Sequence, residues 1–354
     1  MSQTSDAAKA RIRSKLEFLE AADPAQALLD FFGSLGASTR PAAQEAGVRS
    51  LPLILISQLP RSGGSLLSQL FDGHPELLVY PWEMRIGYPS KGSWPVLDLR
   101  STPDHLFATL FHTELAYLAR SGYRKAGKAR QRQKRLKFDY SPIEHYANFV
   151  RLLEHEPSRR AVLDTYFSTL FDAWQPEMGD AQAVVGFVPR MASFPDSITS
   201  FFNDYPDGRL ISILRDPADW FASRRAHTKE GVARYDDVGE EMRVWSRMAR
   251  NALQYRQGYG DQFLLLSFRD LVTDREGTMR RVADWCGIDF DPCLLCQTFD
   301  GNPISPNTNF DDPMERLAEA VLDRKLRLAE GELQRAYALT KSVRLDLQKA
   351  GWTG

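Results

Sequence analysis

Charge of one sign is what this chain most plainly lacks: 45 Lys and Arg stand against 46 Asp and Glu, a formal net charge of −1. That balance argues against a bulk electrostatic binder of nucleic acid, and no nucleic-acid partner is expected. Long apolar runs are missing too. The longest, residues 51–56, falls far short of the roughly 20 residues a membrane helix needs. The opening MSQTSDAAKARIRSKLEFLE carries charges where a secretory signal needs an apolar stretch, so the expected location is cytoplasmic. Cysteine is scarce: Cys286, Cys293 and Cys296 are the only three. Cys293 and Cys296 have zinc or redox spacing, but no second ligand pair and no nearby histidine completes a site. They read as small apolar residues beside a packed helix, and no metal is expected.

What is present is an α/β pattern. Near-continuous apolar runs at residues 51–56, 77–80, 184–188, 209–214 and 262–268 read as strands of a parallel sheet covered on both faces. Helical patterns separate them at 65–71, 104–120, 193–202, 218–227, 239–259 and 275–286. This alternation predicts a doubly wound layer structure, with ligands beyond the carboxyl ends of the strands. Residues 1–50 form a helical extension (8–19 and 24–35), residues 51–311 the α/β body, and residues 312–354 a charged helical extension. The last can pack on the sheet or join a second copy in a homodimer. No internal repeat is present.

Residues 51–70, LPLILISQLPRSGGSLLSQL, combine a buried strand, a tight loop of Pro60, Arg61, Ser62, Gly63, Gly64 and Ser65, and a helix starting near Ser65. Such a junction turns backbone N–H groups and a positive helix end toward one point, which makes an anion site. Arg61 adds a permanent charge with a bidentate fork suited to phosphate or sulfate oxygens. A nucleotide-triphosphatase loop fits poorly here, because no lysine precedes Ser65. A nearer match to that pattern, Gly122 to Ala129, follows a helical pattern rather than a strand, and Ala129 cannot ligate a metal. It is read as chance.

A second strand-to-helix junction follows residues 210–214, where Asp216 can cap a helix opening on Pro217. Arg215 leaves the strand end and Ser223 lies eight residues further on, about two helical turns by 3.6-residue periodicity. Both could hold a second anionic group; the alternative has Arg215 bridged to Asp216 or Asp219 and Ser223 packed.

These residues resemble a family. Pro60-Arg61-Ser62-Gly63-Gly64-Ser65-Leu66-Leu67, then Gly73-His74-Pro75, and Arg215-Asp216-Pro217 with Ser223, look like the sulfotransferases that use 3′-phosphoadenosine 5′-phosphosulfate (PAPS). Supporting likenesses are Leu266-Ser267-Phe268-Arg269-Asp270-Leu271, Trp285-Cys286-Gly287-Ile288 and, less specifically, Gly301-Asn302-Pro303 to Asn309-Phe310. The resemblance spans residues 51–310. It implies a P-loop-like three-layer fold with a central parallel sheet flanked by helices. It implies that Arg61, Ser62, Gly63, Gly64, Ser65 and Leu66 hold the 5′-phosphosulfate, and that Arg215 and Ser223 hold the 3′-phosphate. The product would be adenosine 3′,5′-bisphosphate. Many members carry lysine at the Arg61 position; the tyrosylprotein sulfotransferases resemble this chain in having Pro-Arg-Ser-Gly.

Sulfuryl transfer also needs a base. Glu83 follows the second apolar run, 22 residues after Arg61, a spacing close to that of the glutamate base in arginine-type members. Trp82 and apolar neighbours could desolvate it; the alternative is a surface glutamate paired with Arg85. His74 is the rival, though a turn-shaping role suits it better, and His105, His112 and His227 are weaker rivals. Two departures from the family pattern stand out. Phe187 occupies the position of a lysine found in many members, with Arg190 as its stand-in, and Gly64 replaces threonine. A catalytically weak or inactive PAPS-binding relative, acting as a binding or scaffold protein, is therefore the second reading, and a phosphotransferase the third.

Residues 84–180 are expected to form most of the acceptor pocket, with Trp94, Tyr117, Tyr123, Tyr140, Tyr146, Tyr166 and Phe167 available. Within residues 121–140 lies a run at 124–137 with eight basic residues and no acidic one. It is either a solvated loop or a rim that attracts an anionic donor or acceptor. The acceptor is left open between a carbohydrate and a small molecule.

Overall fold

The computed structural model describes residues 21–35, 47–86, 92–111, 113–123, 135–177, 180–226, 235–304, 322 and 324–353. The helix expected at 8–19, the basic run up to residue 134, His112, His227, and Asn309 with Phe310 lie outside them. The chain begins with helix α1 (Pro24–Gly33), capped by Asp23. It continues through β1 (Leu53–Ile56), α2 (Gly64–Phe71), β2 (Leu77–Glu83), α3 (Pro103–Leu110), α4 (Thr113–Ser121), α5 (Pro142–Leu152) and α6 (Arg159–Asp172). Then come β3 (Ala183–Phe187), α7 (Pro195–Asp204), β4 (Arg209–Leu214), α8 (Pro217–Arg225), α9 (Val238–Tyr259), β5 (Phe263–Ser267), α10 (Phe268–Thr273) and α11 (Arg275–Cys286). A short hairpin, β6 (Thr298–Phe299) with β7 (Asn302–Pro303), a 3₁₀ turn at Arg324–Arg327 and helix α12 (Glu330–Lys349) complete the described chain.

β1 to β5 form one parallel sheet in the order β2-β3-β1-β4-β5. Successive side chains of a strand point to opposite faces, and the packing obeys this. Leu53, Leu55, Leu78, Tyr80 and Leu210 enter the larger core, shared with α1, α3 and α5 to α9. Ile54, Ile56, Leu77, Val79, Ile211 and Ile213 enter a second core under α2 and α11. The result is the three-layer, P-loop-like α/β fold, with β1 in the middle. Since all strands run one way, the segments after β1, β3 and β4 open on one edge of the sheet.

The helix expected over 104–120 is two helices, α3 and α4. The chain turns at Phe111, which leaves helical geometry (ψ 128°) and inserts its ring beside Phe107 and Phe32. Both α5 and α6 were not legible as helices. In α6 every residue from Val162 to Phe171 is buried, so no polar face marks its period. At the C-terminus, α12 lays Ala336, Thr340, Val343 and Leu347 inward against α9, and Trp352 packs beside Trp245. Of the two placements weighed for this helix, it packs on the α/β body. No helix among the described residues is long and apolar enough to cross a membrane.

Candidate functional site

The loop after β1 has the backbone that its sequence demands. Gly63 sits at φ +101°, where a Cβ would stand 2.6 Å from the Phe268 ring, so glycine is required both by conformation and by space. Gly63 is also the N-cap of α2 and supplies no side-chain cap. The first N–H groups of α2, those of Gly64, Ser65 and Leu66, therefore face the loop without an intrahelical acceptor. Ser62 is buried at the base of the turn. Arg61 takes the left-handed conformation (φ +76°), an unusual state for a non-glycine residue and one that concentrates at functional sites. Its guanidinium is desolvated, which lowers its pKa, and its Nε is buried without a hydrogen-bond partner.

The second junction lies beside the first. Asp216 caps α8, accepting from the Ala218 and Asp219 amides at 3.0 Å each. Arg215, 4% exposed, stacks its guanidinium over Phe268 at 4.7 Å. One ring thus supports both Gly63 and Arg215. Burial above all, with the Arg61 charge acting the same way and Asp219 and Asp216 opposing, lowers the Arg215 pKa to about 10. The two arginines are near enough to repel, a repulsion that an anion placed between them would relieve. Ser223, 1% exposed, accepts a 2.8 Å hydrogen bond from Arg324 Nη1, and Arg324 is itself 5% exposed. Arg324 was missed in the sequence. It sits in a charged stretch read only as helical, and nothing in its spacing ties it to Ser223. The same turn is held by the Lys325 amide, which donates to Asp219 Oδ1 at 2.8 Å.

Asp219 offers a test of this junction. Burial raises its pKa from 3.8 to about 6, only partly offset by the Lys325 amide. The folded protein therefore holds a proton that the unfolded chain has released, and stability contributed below the unfolded value is lost as pH rises through about 6. Asp219→Asn is expected to flatten the fall of melting temperature between pH 4.5 and 7. An identical profile in the variant would assign that fall to other groups.

Glu83, at the end of β2, is half-buried and lines a cleft of about 150 Å³. Arg85 donates to it through Nε at 2.9 Å and also through Nη2. Both features expected in the alternatives are thus present together: a carboxylate facing the cleft, and a partner arginine. Ser65 and Ser68 of α2 line the loop side, and Trp82, Tyr123, Phe187 and Phe299 supply aromatic walls. Tyr123 stacks on Phe299 with ring centroids 4.1 Å apart and meets Trp82 edge-on. Most other polar groups of the lining are already bonded within the protein. Gln69 donates to Tyr123 Oη and accepts from Gln297, while Asp72 accepts from Thr298 and from the Asp300 and Gly301 amides.

Several expected site residues lie elsewhere. Trp94, Tyr140, Tyr146, Tyr166 and Phe167 are buried in the core, and of the aromatics proposed for the acceptor side only Tyr123 is among the described lining residues. His74 is fully buried, with Nε2 on the Asp289 carbonyl and Nδ1 accepting from the Glu76 amide, which fixes a turn. Arg190 is exposed and left-handed (φ +75°), and its guanidinium makes no hydrogen bond or ion pair among the described residues. No group of three or more His, Cys, Asp or Glu among the described residues is placed to hold a metal ion.

Against known proteins, residues 52–292 match the model of a family described as the sulfotransferase family. No curated protein matches. Solved structures similar to this chain include the sulfotransferase domain of the Synechococcus PCC 7002 olefin synthase, at 16% identity over 87% of this chain and 98% of that one, with a TM-score of 0.43. Sulfotransferase STF1 of Mycobacterium tuberculosis H37Rv is 16% identical over 91% and 93% of the two chains, with a TM-score of 0.39. Mouse sulfotransferase SULT7A1, solved in complex with PAP, is 9% identical over 88% of each chain, with a TM-score of 0.35.

Proposed function

The chain belongs to the sulfotransferase family, and from that premise we propose that it transfers a sulfuryl group from PAPS to the hydroxyl of a small acceptor. The observation that carries the reading is the pair of desolvated arginines, half-buried Arg61 in the loop after β1 and buried Arg215 just past the adjacent strand β4. Two desolvated cations, the Arg61 Nε being buried without a hydrogen-bond partner, suit a ligand with two separated anionic groups. Arg61 and the backbone N–H groups from Ser62 to Leu66 would hold the 5′-phosphosulfate; Arg215, Ser223 and Arg324 would hold the 3′-phosphate. PAPS supplies the activated sulfuryl group, and adenosine 3′,5′-bisphosphate is the leaving product.

Glu83 takes the proton of the acceptor hydroxyl as the new S–O bond forms on the far side of sulfur. The electron pair of the breaking S–O bond goes to the phosphate oxygen, where Arg61 and the loop amides receive the charge. As in phosphoryl transfer, positioning and electrostatics do most of the work. The cleft favours a small molecule over a carbohydrate: a space near 150 Å³ takes about one benzene-sized ring, and Trp82, Tyr123, Phe187 and Phe299 form much of its wall.

The test is sulfate transfer from radiolabelled PAPS to a panel of single-ring phenols, benzylic alcohols and oligosaccharides, with melting temperatures recorded in parallel with the bisphosphate. Transfer to single-ring hydroxyls supports the reading. A rise in melting temperature with no transfer to any acceptor would instead favour the binding-protein reading, for which Phe187 at the lysine position and the Arg85 clamp on Glu83 speak.

A further inference from the structure

On α2, Ser65, Ser68, Gln69 and the C-cap residue Asp72 recur at the spacing that puts side chains on one helix face, and all four line the cleft that the aromatic walls enclose. Two of them are committed to the protein. Asp72 accepts from Thr298 and from the Asp300 and Gly301 amides, and Gln69 accepts from Gln297 while donating to Tyr123 Oη at 3.2 Å. Ser68 is not. Its hydroxyl makes no hydrogen bond among the described residues, not even to the carbonyl one turn back that Thr165, Thr169 and Thr340 use in their helices. Tyr123 also keeps a donor in reserve. Gln69 donates to its oxygen, and no described residue accepts from its O–H. Burial and the nearby Asp72 charge raise the Tyr123 pKa, so the proton stays on. The cleft therefore holds two hydroxyls with donor capacity unspent, and no lysine or arginine lines it among the described residues.

Their place along the helix assigns them to the acceptor. Ser65 belongs to the turn that would hold the phosphosulfate, whereas Ser68 stands three residues further on, a rise of about 4.5 Å away from it. We propose that Ser68 and Tyr123 are specificity-determining residues that hydrogen-bond a second, neutral oxygen on a single-ring acceptor, so that the acceptor class is an oxygen-substituted phenol. This rests on the sulfotransferase reading above. Tyr123 donates to that oxygen, and Ser68 can donate or accept, so methoxyl, hydroxyl and carbonyl substituents all suit the pair. An alkyl substituent of the same size leaves both hydroxyls unpaired, the condition under which a site rejects an analogue most strongly. A carboxylate substituent is disfavoured, since Glu83 and Asp72 line the cleft and no cation does among the described residues.

The experiment uses the full chain, Ser68→Ala and Tyr123→Phe, with PAPS and matched pairs of acceptors: the ortho, meta and para methoxyphenols against the corresponding ethylphenols. The paired compounds have nearly the same size and acidity, so Glu83 has the same work to do on both. The readout is the ratio of kcat/KM within each pair, which cancels any loss shared by all acceptors, a general loosening of the fold included. The wild type is expected to favour the methoxyl compound by about tenfold in at least one pair, and each variant to lower that ratio by about fivefold, the effect of one hydrogen bond. Tyr123→Phe keeps its ring on Phe299 and Trp82, and both variants keep the melting shift given by adenosine 3′,5′-bisphosphate. A wild-type ratio near one in all three pairs, transfer only to other hydroxyls, or a ratio unchanged within twofold in either variant overturns this proposal and leaves the sulfotransferase reading standing. A wild type that binds the bisphosphate but transfers to no acceptor overturns both.

Discussion

Arg61→Ala is expected to lower sulfuryl transfer by about a thousandfold, between the loss of one neutral oxyanion donor and the loss of an arginine finger in phosphoryl transfer. The effect should fall on kcat, because the charge that Arg61 meets grows as the bond to phosphate breaks. Stability should move the other way. The wild type holds a left-handed non-glycine backbone and a desolvated guanidinium whose Nε has no partner. Arg61→Gly relieves both and is expected to raise the melting temperature of the unliganded protein while abolishing turnover. Arg61→Lys keeps the charge but not the fork, and an intermediate rate is expected. Initial rates at saturating PAPS and thermal melting check the series; a drop in kcat of less than tenfold in Arg61→Ala would remove Arg61 from the chemistry.

Glu83→Gln is the second large effect, a loss of about 10²- to 10⁴-fold in kcat if the carboxylate is the general base. The substitution preserves shape and keeps an acceptor for Arg85, so the melting temperature and bisphosphate binding should change little. The acceptor itself gives the sharper measurement. An acidic nitrophenol already ionised at neutral pH needs no base, so the loss should shrink as the acceptor pKa falls. A structural pairing of Glu83 with Arg85 and nothing more predicts a small loss that is the same for every phenol. Arg85→Ala separates the roles of the pair, since it frees the carboxylate from its 2.9 Å partner while leaving Glu83 at the end of β2.

The sheet was legible because its strands are buried on both faces, and residues such as Leu53 to Ile56 are apolar without interruption. The loop was legible for a different reason: Gly63 and the helix after it are local, and a glycine at a strand-to-helix turn signals its own backbone. Helix α6 escaped because its burial is nearly complete, which erases the period that marks an amphipathic helix. The aromatics of residues 140–167 misled for the same reason. Tyr140, Tyr146 and Tyr166 are as apolar in composition as pocket walls, but Tyr140 and Tyr166 pack around His145 in the core, whose pKa burial lowers to about 3, and Tyr146 packs on Phe32 and Phe107.

By itself the sequence determined the order of the five sheet strands along the chain, the tight strand-to-helix loop at Arg61 and the second junction at Arg215, since each depends on residues close together in the chain. Tertiary structure alone decided what lies across from them. Arg324 reaches Ser223 from 101 residues away, Phe268 slides one ring under both Gly63 and Arg215, and Gln58 meets Phe187 only because β1 and β3 are neighbours in the sheet. Local chemistry sets a backbone's turn, whereas which buried groups face one another follows from strand order and packing, and a linear spacing carries no record of either.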